Sequence, residues 1–522
     1  MYAIQIVMHS RQNTYGFGVL AMANADYLIV GAGSAGAVLA GRLSADPNVE
    51  VLLLEAGRDY RSKETPPEFR PRNLSNERSI NNPDFYWREL TAQRNRYQQE
   101  FAYVRGKGLG GTSTINGLCA IRGIPEDFDR WAELGATGWS WRDVMPAFNQ
   151  LEADAQFGDS AYHGSDGPIP IYRESEAGWG IMDDALRDAA LDAGFPWCED
   201  HNAPGTTGVS PFAMNIKDGE RVSTNDAYID PIRDDRPNLR IIGNAEVDRL
   251  EFSGNRVSGV RCTDGRIFSI HTDGTVILSA GAIGSPSIML RSGIGPEDQL
   301  SSMNIAPKSV LPVGMGLQDH ALVTCVVPTV ESFGRRAVGD RPFNCILRYS
   351  SGLPGSGEND MLVMALNQNY WLNQANAGVA IILNQCSSRG RLTLASTDPT
   401  AAPVIEMDLL EDQLDYARLV DATEVVRDLL SRKPYRDVAS GPAVIPAAND
   451  IRHVVRDGMH MSGTARMGAP DDPRSVVDPD CRVLGIDGLR VVDTSIMPEI
   501  TRANPNLTAI MLGEHIAARL NR

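Results

Sequence analysis

Short apolar runs of strand type recur along this chain, and several lead into segments whose apolar residues return every three to four positions, the spacing of a helix. The first run, residues 26–30, opens directly onto Gly31-Ala32-Gly33-Ser34-Ala35-Gly36, and a helical stretch over 35–43 follows. A second run, 51–54, ends in Glu55. Strand-like runs follow at 240–242, 246–252, 257–262 and 275–279, and one more returns at 489–493 before a last helix over 507–520. Residues 321–450 have a different rhythm: strands at 322–329, 361–367 and 379–384 precede an amphipathic helix over 412–431. Helical spacing also dominates 125–195. This order predicts an α/β fold in which a Rossmann-like dinucleotide domain, discontinuous in sequence, is built from 26–150, 221–320 and 455–522. An α+β domain, a sheet with helices of its own, takes 151–220 and 321–454. Residues 1–25 read as a disordered extension.

The glycines explain what the first unit is for. Gly31 permits a tight turn, Gly33 lets the backbone approach a pyrophosphate with no Cβ in the way, and Gly36 lets helix and strand pack closely. Ser34 and Ala35 then stand at the helix N-terminus that faces the phosphates. Glu55 lies about 20 residues beyond, where a carboxylate accepts hydrogen bonds from ribose hydroxyls and repels a 2′-phosphate. NADP is disfavoured. NAD and FAD both remain compatible with these residues.

Composition narrows the class. At 522 residues, with 42% hydrophobic and 22% charged positions, the chain has ordinary globular usage and is long enough for two domains. A net charge of −17, with no cluster of Lys and Arg, argues against nucleic acid and anionic membranes as partners. No apolar run reaches the roughly 18 residues needed to span a bilayer. Seven cysteines without CxxC spacing indicate neither a disulfide framework nor a zinc site, so no metal is expected and a reducing, cytoplasmic compartment fits. A signal peptide is the competing reading of the N-terminus, because an apolar patch over 17–23 follows Arg11 and Ala23-Asn24-Ala25 resembles a cleavage site.

A second glycine-rich stretch, Arg105-Gly106-Lys107-Gly108-Leu109-Gly110-Gly111-Thr112-Ser113-Thr114-Ile115-Asn116-Gly117, resembles the first signature of the glucose-methanol-choline (GMC) oxidoreductases. Residues 281–295, opening Gly281-Ala282-Ile283-Gly284-Ser285-Pro286, resemble their second. Segments 313–320, 460–468 and 493–498 extend the likeness to about residues 26–520. The resemblance implies FAD. It places Ala56, Trp87, Gly106, Gly110, Gly111, Thr112, Ser113, Asn116, Gly117, Val247, Asp493, Asn504 and Pro505 around the cofactor, together with Gly31, Gly33, Ser34, Ala35, Gly36 and Glu55. In physical terms, Gly108, Gly110 and Gly111 let backbone N–H groups close around the flavin and its diphosphate, while Ser113 and Asn116 offer side-chain hydrogen bonds to the ring's polar edges. Some family members bond the flavin covalently through a histidine just before the Asn116 position. Ile115 stands there, so the FAD is expected to be non-covalent.

The resemblance also implies the chemistry: a base takes the O–H proton of an alcohol while hydride leaves the carbinol carbon for flavin N5. Histidine suits that task because its unperturbed pKa lies near working pH. Of the eight histidines, His460 begins His460-Met461-Ser462-Gly463-Thr464, which resembles the family's catalytic motif, and it is expected to be the general base. The partner position matches Asn504, an amide that holds the substrate oxygen but takes no proton. Asn504 and Pro505 also read as Ncap and N1 of the terminal helix, whose positive end would stabilise charge on the reduced flavin. His163, His201, His271 and His453 read as surface or structural residues, His515 as packing or capping, and His320, in Leu317-Gln318-Asp319-His320, as structural near the domain junction. Segments in the C-terminal third are similar to hydroxymethylfurfural, aryl-alcohol and pyridoxine oxidases, which implies a primary alcohol on an aromatic or heteroaromatic ring and oxygen or another electron acceptor. Met459, Ala380 and Ile382 are the expected pocket wall. Competing readings are a choline or aliphatic alcohol dehydrogenase using an acceptor other than oxygen, and a flavin-dependent hydroxynitrile lyase.

Overall fold

The computed structural model describes residues 25–70, 82–329, 342–367 and 377–521; the expected extension lies, apart from Ala25, outside the described residues. Five short apolar strands, β1 (Tyr27–Val30), β2 (Val51–Leu54), β3 (Leu239–Ile242), β4 (Thr275–Leu278) and β5 (Leu489–Val491), form one parallel sheet in the order β3-β2-β1-β4-β5. In the middle of this sheet Leu28 stands between Leu52 and Val276. The strands lack polar alternation because a parallel sheet is covered on both faces. Helix α1 (Ser34–Leu43) follows β1, α2 (Gly281–Arg291) follows β4, and the terminal α3 (Pro505–Leu520) packs on α1. Where these two helices cross, Arg42 forms hydrogen bonds of 2.8 Å to both carboxylate oxygens of the buried Glu514. The dinucleotide sheet is discontinuous in sequence, as the pattern predicts.

A second, antiparallel sheet has the strand order Arg456–Asp457, Ala321–Val327, Ala377–Leu383, Met361–Leu366, Cys345–Tyr349, Gly208–Pro211. Its edge strand Arg456–Asp457 comes from the stretch assigned by sequence to the dinucleotide domain. Side chains alternate between its faces. Val323, Val363, Val379 and Ile381 join the main core, on the face covered by helix Gln413–Ser431. Leu322, Leu362, Met364, Ala380 and Ile382 point the other way and form a separate apolar cluster with Phe212, Phe343, Leu118 and Ala503. Strands Glu152–Asp154 and Ile169–Arg173 interrupt the region read as helical over 125–195. All seven cysteines lie among the described residues, and none forms a disulfide. Among the described residues, no helix is long and apolar enough to cross a membrane.

Candidate active site

The two glycine stretches meet backbone to backbone. Gly110 N–H donates to Ala32 O at 2.9 Å, and a Cβ on Gly111, whose φ is +50°, would stand 2.8 Å from Gly33 Cα. Glu55 joins them further. Its carboxylate accepts from Ala32 N at 2.8 Å, and from Gly57 N and Gly108 N at 2.9 Å each. Burial raises the pKa of this carboxyl, and the three N–H donors, with Lys107, act against that rise. The residue read as a ribose partner thus first holds the cradle together.

Above this junction lies a cavity of about 1110 Å³, lined by all the sequence-derived cofactor residues except Gly36, Gly108, Gly110 and Ser113, and by His460 and Met459 as well. The four exceptions build the walls from behind, Gly108 and Gly110 through the bonds to Glu55 and Ala32 just described. A Cβ on Gly36 would collide with Gly31 O at 1.9 Å, so this glycine serves the contact of α1 with its own loop. Ser113, expected to meet the flavin ring, is buried; it donates to Gly110 O at 2.6 Å and shares a 3.0 Å bond with Thr224. Asn116 does face the cavity, but its Oδ1 accepts from Arg221 at 2.8 Å and from Leu118 N at 3.1 Å, so it offers the NH₂ end. Ala380 and Ile382 do not line the cavity; they belong to the apolar cluster of the second sheet.

Three helices begin at this cavity, with Ser34, Gly281 and Pro505 in its lining. Each N-terminus has N–H groups with no partner inside the helix and carries a partial positive charge of roughly +0.5. Asp493 anchors the α2 start, since its Oδ2 accepts from Gly281 N at 2.9 Å and Ser285 Oγ at 2.6 Å, while Oδ1 accepts from Ser495 N at 2.8 Å. Backbone-lined glycine loops, helix N-termini and this volume fit a diphosphate-linked flavin nucleotide.

His460 and Asn504 come together from segments far apart in sequence. Nε2 of His460 lies 3.0 Å from Nδ2 of Asn504. Asn504 holds the Ncap position of α3 with Pro505 at N1, yet its side chain makes no cap bond and is free to reach the histidine. Burial, then the neighbouring His320 and Arg105, hold the His460 pKa well below the usual imidazole value. The ring is therefore neutral.

Sequence reasoning left His320 outside the site, whereas the structure puts its Nδ1 at 2.8 Å from Nδ1 of His460, with the rings edge to face. The rest of the Gln318-Asp319-His320 run braces the same loop. Asp319 accepts from His460 N at 2.9 Å and from Tyr103 Oη at 3.0 Å, and burial, with Asp457 nearby, pushes its pKa up to about 7. Gln318 accepts from Ile500 N at 3.0 Å and donates to Cys386 O at 2.7 Å. The signal was present: three buried polar residues stand between Leu317 and the apolar strand Ala321–Val327. Met459, at φ +59° and 41% exposed, faces the cavity beside the base. His163 and His201 are buried and structural, and His515 bonds Gly138 O at 3.0 Å and packs on Trp139.

A parallel dinucleotide sheet, a glycine-lined cleft of flavin-nucleotide size and a neutral histidine facing an amide fit a flavin-nucleotide-dependent oxidoreductase. Family models described as GMC oxidoreductase match residues 25–322 and 386–513, and the chain belongs to the GMC oxidoreductase family. It is 36% identical to a 5-(hydroxymethyl)furfural oxidase of Methylovorus sp. (strain MP688), over 94% of this chain and 98% of that protein. It is 34% identical to an oxygen-dependent choline dehydrogenase of Ectopseudomonas mendocina (strain ymp), over 95% and 94%. The crystal structure of pyridoxine 4-oxidase from Mesorbium loti superposes with a TM-score of 0.86 at 27% identity, covering 95% of this chain and 99% of that one.

Proposed function

We propose that this enzyme oxidises a primary alcohol borne on an uncharged aromatic or heteroaromatic ring to the aldehyde, with FAD held non-covalently and oxygen as the final electron acceptor. The observation that carries this reading is the 3.0 Å approach of His460 Nε2 to Asn504 Nδ2 at the wall of the cofactor cavity. A hydroxyl seated against both atoms from the cavity side gives its proton to Nε2, while the amide N–H donates to the alkoxide oxygen left behind. Bound FAD supplies the hydride acceptor. Burial keeps His460 neutral, so it enters the reaction as a base.

The ring is supported by what adjoins the pair. Ala503, next to Asn504, belongs to the apolar cluster in which Phe212 and Phe343 pack edge to face at 5.1 Å. Cys119, partly buried against that cluster, also lines the cavity. Two relatives are named for heteroaromatic alcohols, the furfural oxidase and the pyridoxine oxidase.

The test is anaerobic reduction of the purified holoenzyme by benzylic, furanic, pyridoxine-type, aliphatic and choline alcohols, followed by admission of oxygen. Fast bleaching by ring-borne alcohols and prompt reoxidation are expected. Bleaching by choline or aliphatic alcohols alone overturns the substrate class, and a reduced flavin that persists in air overturns the acceptor. His460→Ala should keep its flavin and lose about 10²- to 10⁴-fold in the reduction rate. Unchanged reduction would remove His460 from the role of base.

A further inference from the structure

A neutral imidazole has one protonated and one bare nitrogen, and only the bare one accepts a proton. Which nitrogen of His460 is bare follows from the chain of bonds behind it. Nε2 of His320 lies 3.1 Å from Asn384 O and 3.1 Å from Thr501 O. Both partners are carbonyl oxygens and can only accept, so Nε2 of His320 carries its hydrogen. His320 is buried, and burial pushes its pKa down to about 4, so it carries no second hydrogen. Its Nδ1 is then an acceptor. The 2.8 Å contact between the two Nδ1 atoms can be a hydrogen bond only if His460 donates it. His460 is therefore protonated at Nδ1 and bare at Nε2, the atom that faces Asn504 and the cavity.

We propose that His320 is the positioning residue of the base: its Nδ1, kept bare by the two carbonyls on its far side, selects the His460 tautomer whose Nε2 lone pair faces the alcohol. The inference rests on the reading of His460 as base. When Nε2 takes the alcohol proton, His460 becomes an imidazolium that still donates through Nδ1, and the buried His320 stays neutral. The proton stops at His460. The carbonyls of Asn384 and Thr501 come from the residue just after the second-sheet strand Ala377–Leu383 and from the loop before α3, so the tautomer is set by how these two parts of the chain meet.

The test uses flavin-loaded protein with ¹⁵N-labelled histidine. In the unsubstituted holoenzyme, one imidazole should show a protonated Nδ1 and a bare Nε2, and its signal should vanish in His460→Ala. His320→Leu removes the acceptor, whereas His320→Asn restores an acceptor oxygen close to the Nδ1 position. His320→Leu should retain flavin and an unchanged half-saturating alcohol concentration, show a mixed tautomer, and lose between about 10-fold and the 10⁴-fold seen when a catalytic imidazole is held in the wrong tautomer. His320→Asn should recover most of the rate and the tautomer. Equal losses in the two variants, full activity in His320→Leu, or an Nε2–H tautomer at His460 in the unsubstituted enzyme would each overturn the proposal. If His320→Leu sheds its flavin, the spectrum of the unsubstituted enzyme and the rate of His320→Asn decide. Failure of the base reading is separate, because it shows as undiminished reduction in His460→Ala.

Discussion

A side chain at a helix start can serve the helix or leave it, and Asn504 leaves it. An asparagine at Ncap commonly accepts from the N–H of N2 or N3, a bond worth about 1 kcal/mol. Asn504 occupies that position without making the bond, and points Nδ2 at His460 instead. Pro505, with φ fixed near the helical value, presets the first turn without help from a side-chain cap. Asn504→Ala should therefore leave thermal stability nearly unchanged while slowing flavin reduction about 10²- to 10³-fold, the loss typical of one preorganised donor to an oxyanion. Melting temperature and stopped-flow reduction of the same preparation check the pair of outcomes. That His460 and Asn504 would meet at the cavity was legible in the sequence because both stand in segments that resemble family motifs. His320 was not, because its role depends on a contact across 140 positions of chain and on two backbone carbonyls that no side-chain pattern encodes.

At the scale of elements, the same glycine motif contains two kinds of glycine. A Cβ on Gly33 would find nothing nearer than Gly111 Cα at 4.0 Å, yet Gly33 lines the cofactor cavity. A Cβ on Gly36 would meet Gly31 O at 1.9 Å. Gly33→Ala should fold normally, with a melting curve for the apoprotein close to wild type, and bind FAD at least tenfold more weakly by titration, an expectation of about 1.4 kcal/mol. Gly36→Ala should lower the apoprotein melting temperature itself. The dinucleotide strands were legible because burial on both faces makes them continuous apolar runs. Strand Cys345–Tyr349 was missed for a specific reason: Arg348 breaks the run, but it is fully buried and donates to His201 O at 3.0 Å and Thr206 O at 2.7 Å. That Ala380 and Ile382 stand in the apolar cluster rather than in the cavity lining was not legible, because the register that sends them there is set by pairing with Thr324 and Leu322.

For the molecule as a whole, a buried charge network ties distant segments and makes stability depend on pH. His163 lies between Glu152, at 2.5 Å, and Asp200, at 2.8 Å, Arg173 bridges Asp154 and Asp200 at 2.8 and 2.6 Å, and Arg122 pairs with Glu152. Burial opposes the charge on His163, but hydrogen bonds to Asp200 and Glu152 win and raise its pKa. A raised folded-state value means that the stabilisation is complete below the unfolded value of about 6.5 and fades as pH rises through the folded value. His163→Gln should cost about 1–3 kcal/mol at pH 6, the penalty of a broken buried bond. The gap from wild type in a denaturant titration should narrow at higher pH.

Glu55 has one more consequence. Because its carboxylate and the Ala32–Gly110 bond join both glycine loops through protein–protein hydrogen bonds, the cradle is expected to be ordered before its guest arrives. Reloading of stripped enzyme should then be a simple bimolecular capture, with an observed rate proportional to FAD concentration and no plateau, since no slow ordering step precedes it. Glu55→Gln has one acceptor oxygen for three donors, and its capture rate should saturate at a ceiling set by the loops finding each other.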